Sequence, residues 1–375
     1  MLRALIATAA CAGTAGTAFA GGIDRAGQRV DILYKDGNYA EASVAYTTPD
    51  VTGVDVPSPL PSRYRYDNVA DDFTSYGFGI KFDVNDRLTI ALTGAEDFGS
   101  DIVYSGNPAT SMLGSTSAIA DTYSTTLMAR YKLTDNFSLH GGVRRDVADG
   151  TITLGGLAYG RVNGYKVRLS EDDGYGYLIG GAYEIPDIAF RLGVTYNSKI
   201  RHDFKTTETL SGASLGKSDR TSVDTPQSVN IDFQTGIAPD TLLFANIRWA
   251  EWSEFKIEPE KFNSVTGTGL VTLEDSTTYT IGIARRFNER FAASASFLYE
   301  PEQSDDLVSP LAPTNGFTAL AVGASYRVEN IEFSGGVRYT WIGDARPETG
   351  TPDTARASFT GNDAVSIGFK IGYYF

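Results

Sequence analysis

Apolar side chains occupy every second position at the end of the chain. Val365, Ile367, Phe369, Ile371, Tyr373 and Phe375 alternate with Ser366, Gly368, Lys370, Gly372 and Tyr374. A period of two describes a β-strand with one apolar face and one small or charged face. About 9–11 such residues cross a bilayer as a tilted strand. A half-buried strand of a soluble sheet carries the same alternation, so repetition along the chain decides between them. The pattern returns at 39–46, 76–82, 88–92, 125–133, 137–143, 177–183, 188–196, 229–233, 243–249, 279–287, 291–299, 320–326 and 331–341.

The connections sort by length. Six tight turns, among them Asp83-Val84-Asn85-Asp86 and Thr134-Asp135-Asn136, alternate with seven long connections near 47–71, 99–120, 147–172, 199–225, 253–275, 301–314 and 342–363. A β-sandwich has no reason to sort them this way. An even strand number, with short turns on one side and long loops on the other, predicts an all-β fold, a transmembrane antiparallel β-barrel of 14 strands. Both termini then lie on the short-turn, periplasmic side. Charged residues between the apolar ones, such as Glu41, Lys81, Arg130, His140, Arg144, Arg248 and Lys370, are expected to face the lumen and brace it. Trp249, Trp252 and Trp341 stand at strand ends before long loops and are expected to mark the outer aromatic girdle.

Composition sharpens this picture. The chain has 375 residues with 40 Gly, 21 Tyr and 20 Phe. Residues 1–20 read as a secretory signal peptide, with Arg3 in the basic region and Ala18-Phe19-Ala20 as a small-x-small cleavage site. Cleavage there removes the only Cys, Cys11. Beyond it no apolar run approaches the 18 residues of a membrane helix, but a closed barrel spans a membrane without one. A net charge of −14 argues against a nucleic-acid partner. The two histidines, His140 and His202, are far apart, so no metal site, no cofactor and no catalytic constellation is expected. The localisation expected is the outer membrane of a Gram-negative bacterium, with outer-membrane lipids and the barrel-assembly machinery as partners and a monomer as the assembly.

An empty barrel of 14 strands would leak, since 8-stranded barrels are the ones side chains can fill. Residues 21–37 break the alternation, start on the periplasmic side and are not needed for the wall. They are the expected N-terminal plug (hatch), with Gly21, Arg25 and Arg29 as its candidate residues, ahead of a barrel spanning 38–375. Apolar residues outside the strands are the candidate ligand-binding set: Met112, Leu113, Ile152, Leu154, Leu157, Leu307, Val308 and Leu311. Greasy loop residues often mark a binding surface, and packing of the loops into a lid is the other reading. In the third strand the alternation fails after Leu92, and Gly94 and Gly99 bracket the consecutive acids Glu96 and Asp97. An unbroken strand would turn one acid to lipid, so a local kink is expected. It makes Gly94, Phe98 and Gly99 candidates for a lateral exit, unless the strand simply ends at Gly94.

Several motifs resemble the long-chain fatty acid outer-membrane transporter family (FadL/TodX-type). They are Gly37-Asn-Tyr-Ala-Glu-Ala-Ser-Val-Ala-Tyr46 followed by Pro49-Asp-Val-Thr-Gly53, Thr225-Pro-Gln-Ser-Val-Asn230, Trp249-Ala-Glu-Trp-Ser-Glu-Phe255, Tyr299-Glu-Pro301, Ser309-Pro-Leu-Ala-Pro-Thr-Asn315 and Gly343-Asp-Ala345. The resemblance implies uptake of hydrophobic compounds, foremost long-chain fatty acids, by loop capture, lumenal binding and lateral exit into the bilayer. It also implies a hydrophobic small-molecule ligand, a fatty acid or a hydrocarbon. The chain departs from the family's pattern in two respects: the Asn-Pro-Ala of many plugs is absent from 21–37, with Asn107-Pro-Ala109 lying in a long loop instead, and the third loop, 147–172, is short for a helical capture hairpin. The competing expectations are a general diffusion porin or ion-selective channel and, beyond those, a structural barrel or an enzyme.

Overall fold

The computed structural model describes residues 23–56, 63–303, 306–350 and 352–375. The expected signal peptide, 1–20, and the plug candidate Gly21 lie outside the described residues. Fourteen wall strands follow one another around the barrel. They are β1 (Tyr39–Asp50), β2 (Phe73–Asp83), β3 (Leu88–Ala95), β4 (Ser117–Lys132), β5 (Phe137–Leu154), β6 (Tyr165–Ile185), β7 (Phe190–Asn197), β8 (Ser228–Ala238), β9 (Thr241–Ala250), β10 (Ser276–Arg286), β11 (Phe291–Glu300), β12 (Phe317–Val328), β13 (Ile331–Ile342) and β14 (Asp363–Tyr374). Each pairs antiparallel with its neighbours, and β1 pairs with both β2 and β14, which closes the wall. Closure removes the free edge that an open sheet would present.

The outward faces carry the apolar members of the alternation. Val44, Leu127, Ile179, Ile281, Val322 and Ile367 are all exposed and form the lipid-facing band. Aromatic residues border it on both sides, with Phe82, Phe137, Phe291 and Phe375 near the short turns and Tyr46, Tyr76, Tyr279 and Trp341 near the long loops. One girdle expectation is corrected. Trp252 is buried and packs against Phe98 with ring centroids 5.4 Å apart, because the chain turns inward in a short 3₁₀ segment directly after β9.

Above the membrane band β4, β5 and β6 continue to lengths of 16, 18 and 21 residues, well past the ~9–11 that crossing requires. The region around 147–172, expected to be a loop, is therefore mostly strand. A register shift between Ala148 and Gly150 inserts an extra residue in β6. A one-residue slip reverses the facing of every later side chain. Odd-numbered residues of β6 face lipid at Tyr177 and Ile179 but face inward at Val167 and Leu169. With Ile152 and Leu154 of β5 they give the upper barrel an apolar interior, in which the long connections pack as a cap.

Candidate functional site

Residues 23–36 lie inside the barrel. Their polar groups meet the lumenal charges that the alternation directs inward. Arg248 Nε lies 2.7 Å from Asp24 Oδ2, with both side chains almost fully buried. Asn230 Nδ2 donates to the Gly27 carbonyl at 3.1 Å, and Ser228 Oγ donates to Gln28 Oε1 at 2.7 Å. Gln28 has a left-handed backbone conformation (φ 51°) that favours glycine. Nearer the periplasm, Lys81 Nζ donates to the carbonyls of Lys35 and Gly37 at 2.7 and 2.6 Å. The Tyr34 ring lies between the guanidinium groups of Arg130 and Arg191, each 4.3 Å from its centroid, and its hydroxyl meets His140 Nδ1 at 3.2 Å. Ile32 and Leu33 are buried against Met128 and Leu178 of the wall. The lumenal charges thus hold the N-terminal segment as well as one another.

The third strand is interrupted where its alternation fails. β3 pairs with β4 up to Ala95 opposite Ser124, and the strand resumes as Gly99–Val103 with Gly99 opposite Asp121. Three residues, 96–98, face two, which is a bulge. Thr122 Oγ1 fills the broken ladder, accepting from Phe98 N at 3.0 Å and donating to Phe98 O at 2.8 Å. On the other side β2 pairs with β3 only from Gly77 onward, leaving residues 73–76 of β2 without a β3 partner. Pairing between these two parts of the wall returns higher up, where Ala70 bridges Ile102. The result is a bounded side window.

The N-terminal segment occupies the inner side of this window. Asp24 bridges Phe98, Gly99 N donates to Ile23 O at 2.9 Å, and Arg25 N donates to Asp97 O at 2.8 Å. The Arg25 guanidinium pairs with Asp101 at 2.8 Å and Glu96 at 3.6 Å and lies 4.2 Å from the Phe73 ring centroid. Arg25 also covers Gly99 so closely that a Cβ there would come within 2.3 Å of its guanidinium carbon. A side chain at this position would have to displace the Arg25 guanidinium.

Two cavities flank this contact. The upper one, about 100 Å³, is bordered by Ile23 and Phe98 and otherwise by Ile152, Leu169, Phe204, Val223, Trp252 and Leu311 among others. Its lining is almost wholly apolar. The lower one, about 210 Å³, is lined by lumenal Arg25, Asp97 and Arg144 and also by Val44, Tyr76 and Phe78 of the outer face, so it runs through the wall. Residues 23–25 and 96–98 form the partition between them.

The structure distributes the candidate residues unevenly. Ile152 and Leu311 line the upper cavity. Met112, Leu113 and Leu154 are fully buried within the cap, and Leu157 packs against it. These four stiffen the cap rather than open onto a groove. Leu307 and Val308 form a short parallel pairing with Arg346 and Pro347 in the outer loops. Arg25 sits in the window, whereas Arg29 pairs with Asp31 at 3.4 Å. Gly94 is the penultimate residue of β3, beside the window, and Phe98 and Gly99 lie at the partition. The sequence reading missed His202, Phe204 and Val223, which a hairpin of Ile200–Phe204 with Thr221–Thr225 carries inward. Their alternation, Ile200, His202 and Phe204 inward, was visible but fell within a region read as loop.

Electrostatics in the cap follow from burial. Burial first, and the hydrogen-bonded Asp55 carboxylate second, push the Tyr66 hydroxyl above its ordinary pKa, so it stays protonated and donates to Asp55 at 2.5 Å. Burial alone would raise the carboxyl of Glu208, but hydrogen bonds from Lys261 N, the Tyr165 hydroxyl and Phe262 N hold it below its usual value. Among the described residues no group of three His, Cys, Asp or Glu is placed to hold a metal ion.

A family model described as Outer membrane protein transport protein (OMPP1/FadL/TodX) matches residues 36–375. Among solved structures the chain is similar to a Pseudomonas aeruginosa FadL homologue, with 16% identity, a TM-score of 0.73 and coverage of 97% of this chain and 98% of that one. It is similar to the toluene transporter TodX of P. putida at 14% identity and TM-score 0.64, covering 91% and 90% of the two chains. The Ralstonia pickettii toluene transporter TbuX aligns at 14% identity and TM-score 0.59, covering 90% of each. At these identities the likeness establishes the fold. No curated relative matches by sequence.

Proposed function

This chain belongs to the outer membrane protein transport protein (OMPP1/FadL/TodX) family of Gram-negative outer-membrane barrels for hydrophobic compounds, and from that premise we propose a route for its cargo. A hydrophobic molecule enters through the cap, rests in the upper cavity, displaces the partition and leaves through the side window into the bilayer. Residues 21–37 act as the plug, with Arg25 as the latch at the window. The observation that carries this reading is the partition itself: an apolar cavity on one side and a wall-crossing cavity on the other, separated by contacts between residues 23–25 and 96–98. The lower cavity reaches apolar Val44, Tyr76 and Phe78 of the outer face, which suits lateral release over passage through the periplasmic end.

The cargo we favour is compact. A cavity of roughly 150 Å³ holds benzene, so about 100 Å³ is close to the scale of one ring. The long-chain fatty acid expected from the resemblance would need a much larger opening. The toluene transporters among the similar structures support the smaller ligand. Ile152→Trp tests the site by filling the upper cavity. The purified variant should keep its heat-modifiable gel mobility and lose saturable binding of p-xylene, with a long-chain fatty acid assayed in parallel. Undiminished saturable binding by the folded variant would refute the site.

A further inference from the structure

Above the membrane band the outside of the wall carries a basic face that neither the cap nor the plug uses. β6 climbs past its exposed Tyr175 and Tyr177, at the outer interface, to Tyr165. There it lies between β5 on one side and the segment Thr206–Leu210 on the other. The inward residues of this upper sheet are committed to the cap. Val167, Leu169 and Phe204 are buried in it, and Glu208 accepts from the Tyr165 hydroxyl at 2.7 Å. The period of two therefore turns Lys166, Arg168 and Lys205 outward, and all three are exposed. Arg168 lies opposite Thr207, and Ser170 N donates to Lys205 O at 3.0 Å. Lys205 is thus the diagonal neighbour of Arg168, about 7–8 Å away by sheet geometry. Lys166 is two residues beyond Arg168 on the same face, roughly 7 Å along the strand. Thr151 and Thr153 of β5, opposite Arg168 and Lys166, add hydroxyls to this face.

The cations lower on the same side are neutralised. Arg145 pairs with Asp173 at 3.6 Å, Arg220 with Asp172 at 3.7 Å and Arg201 with Asp224 at 2.8 Å. Among the described residues Lys166, Arg168 and Lys205 form no ion pair. The next outward acids along these strands, Asp149, Glu171 and Asp203, sit nearer the membrane. Three adjacent like charges repel one another, and they stand on a chain whose net charge is −14. An anion bound among them would relieve that repulsion.

Height decides which anion fits. A rise of about 3.3 Å per residue and a strand tilt near 40° put the three cations roughly 13–23 Å above the interface at Tyr175. The phosphates of a lipid headgroup lie below that level. The outer leaflet of a Gram-negative outer membrane is lipopolysaccharide, whose core sugars stand at that level and carry carboxylates and phosphates. We propose that Lys166, Arg168 and Lys205 bind the acidic core sugars of a lipopolysaccharide molecule standing against β5 and β6. Thr151 and Thr153 meet the sugar hydroxyls, and the acyl chains lie along exposed Val143, Tyr177 and Ile179 below.

The test titrates the full detergent-solubilised barrel into two fluorescently labelled lipids, read by anisotropy. One is lipopolysaccharide truncated after its phosphorylated inner core, and the other is lipid A, which has the same anchor without those sugars. Wild type should bind the core-bearing lipid about tenfold more tightly, the scale of three exposed ion pairs, and salt near 1 M should shrink that preference. Lys166→Glu/Arg168→Glu/Lys205→Glu should abolish the preference and leave lipid A affinity within about twofold. Arg168→Gln alone, a milder change, should cost roughly threefold for the core-bearing lipid only. Reversing Arg87 and Arg290, exposed at the periplasmic turns, should alter neither affinity. Equal affinities in the wild type, or a preference that survives the triple variant or is untouched by Arg168→Gln, would overturn the site. Loss of both lipids alike in the triple variant would place the cations on the headgroup and overturn the core-sugar assignment. Loss of the preference in the Arg87 and Arg290 control would assign it to net charge and overturn a local site.

Discussion

Asp24→Ala should loosen the N-terminal segment without touching the wall. The Asp24–Arg248 pair is nearly sealed from solvent and has a short contact of 2.7 Å. Removing one partner of a buried pair typically costs about 3–5 kcal/mol, because the other charge is stranded. Arg248 keeps weaker contacts to Ser228 Oγ at 3.1 Å, Gly27 O at 3.3 Å and Gln28 Oε1 at 3.4 Å, which places the effect at the lower end. About 3 kcal/mol corresponds to a roughly hundredfold rise in the open population of the segment. Amide hydrogen exchange reads this directly, since Arg25 and Ala26 donate their N–H groups to Asp97 O, and protection there should fall by about the same factor. Single-channel conductance in planar bilayers should rise in parallel. The double variant Asp24→Ala/Arg248→Met removes both charges and should recover much of the loss. Unchanged exchange and conductance in Asp24→Ala, or a double variant as loose as the single one, would refute the premise that this buried pair holds the plug.

Three further outcomes follow. A Cβ on Gly94 would come within 2.2 Å of Phe78 and 2.6 Å of the Tyr123 hydroxyl, so Gly94→Leu should crowd the window and slow delivery of ligand into liposome lipid. Affinity at the upper cavity should stay unchanged, and full delivery by the folded variant would sink the lateral route. Glu208→Gln should cost the cap about 1–3 kcal/mol by replacing an acceptor of three hydrogen bonds, seen as faster limited proteolysis near 255–275 at pH 7. Because the folded pKa of Glu208 lies below its unfolded value, its stabilisation is complete above about pH 4.3 and disappears as pH falls through the depressed value. Wild type should therefore approach the variant's protease sensitivity only in acid; sensitivity independent of pH would count against the clamp. Deleting Phe375, whose N–H donates to Asn38 O at 3.1 Å across the closing seam, should lower the amount of folded protein in the outer membrane. An unchanged yield would show that the terminal aromatic is dispensable for assembly.

The wall was legible in the chain because lipid enforces a simple rule: every second residue of a crossing strand must be apolar. Val365 to Phe375 state that rule, and thirteen other stretches repeat it, so strand number, facing and the sorting of turns follow from the sequence. The break in β3 was legible for the same reason, since Glu96 and Asp97 cannot both avoid lipid on a straight strand. Above the membrane the rule lapses. There β6 slips by one residue, and Val167 and Leu169 turn inward although Tyr177 and Ile179 of the same parity face lipid. Nothing local marks that slip, so the apolar upper chamber read as loop. Met112 and Leu113 were recognisable as greasy loop residues, but only packing decides whether such residues line a cavity or seal a cap. The sequence also showed Asp24, Arg25 and Arg248 as charges of opposite sign, yet 224 positions separate Asp24 from Arg248. Their pairing requires the closed barrel to bring the strand past the returning N-terminal segment. Tertiary structure alone set the partition, because it is built from contacts between a segment outside the wall and a defect within it.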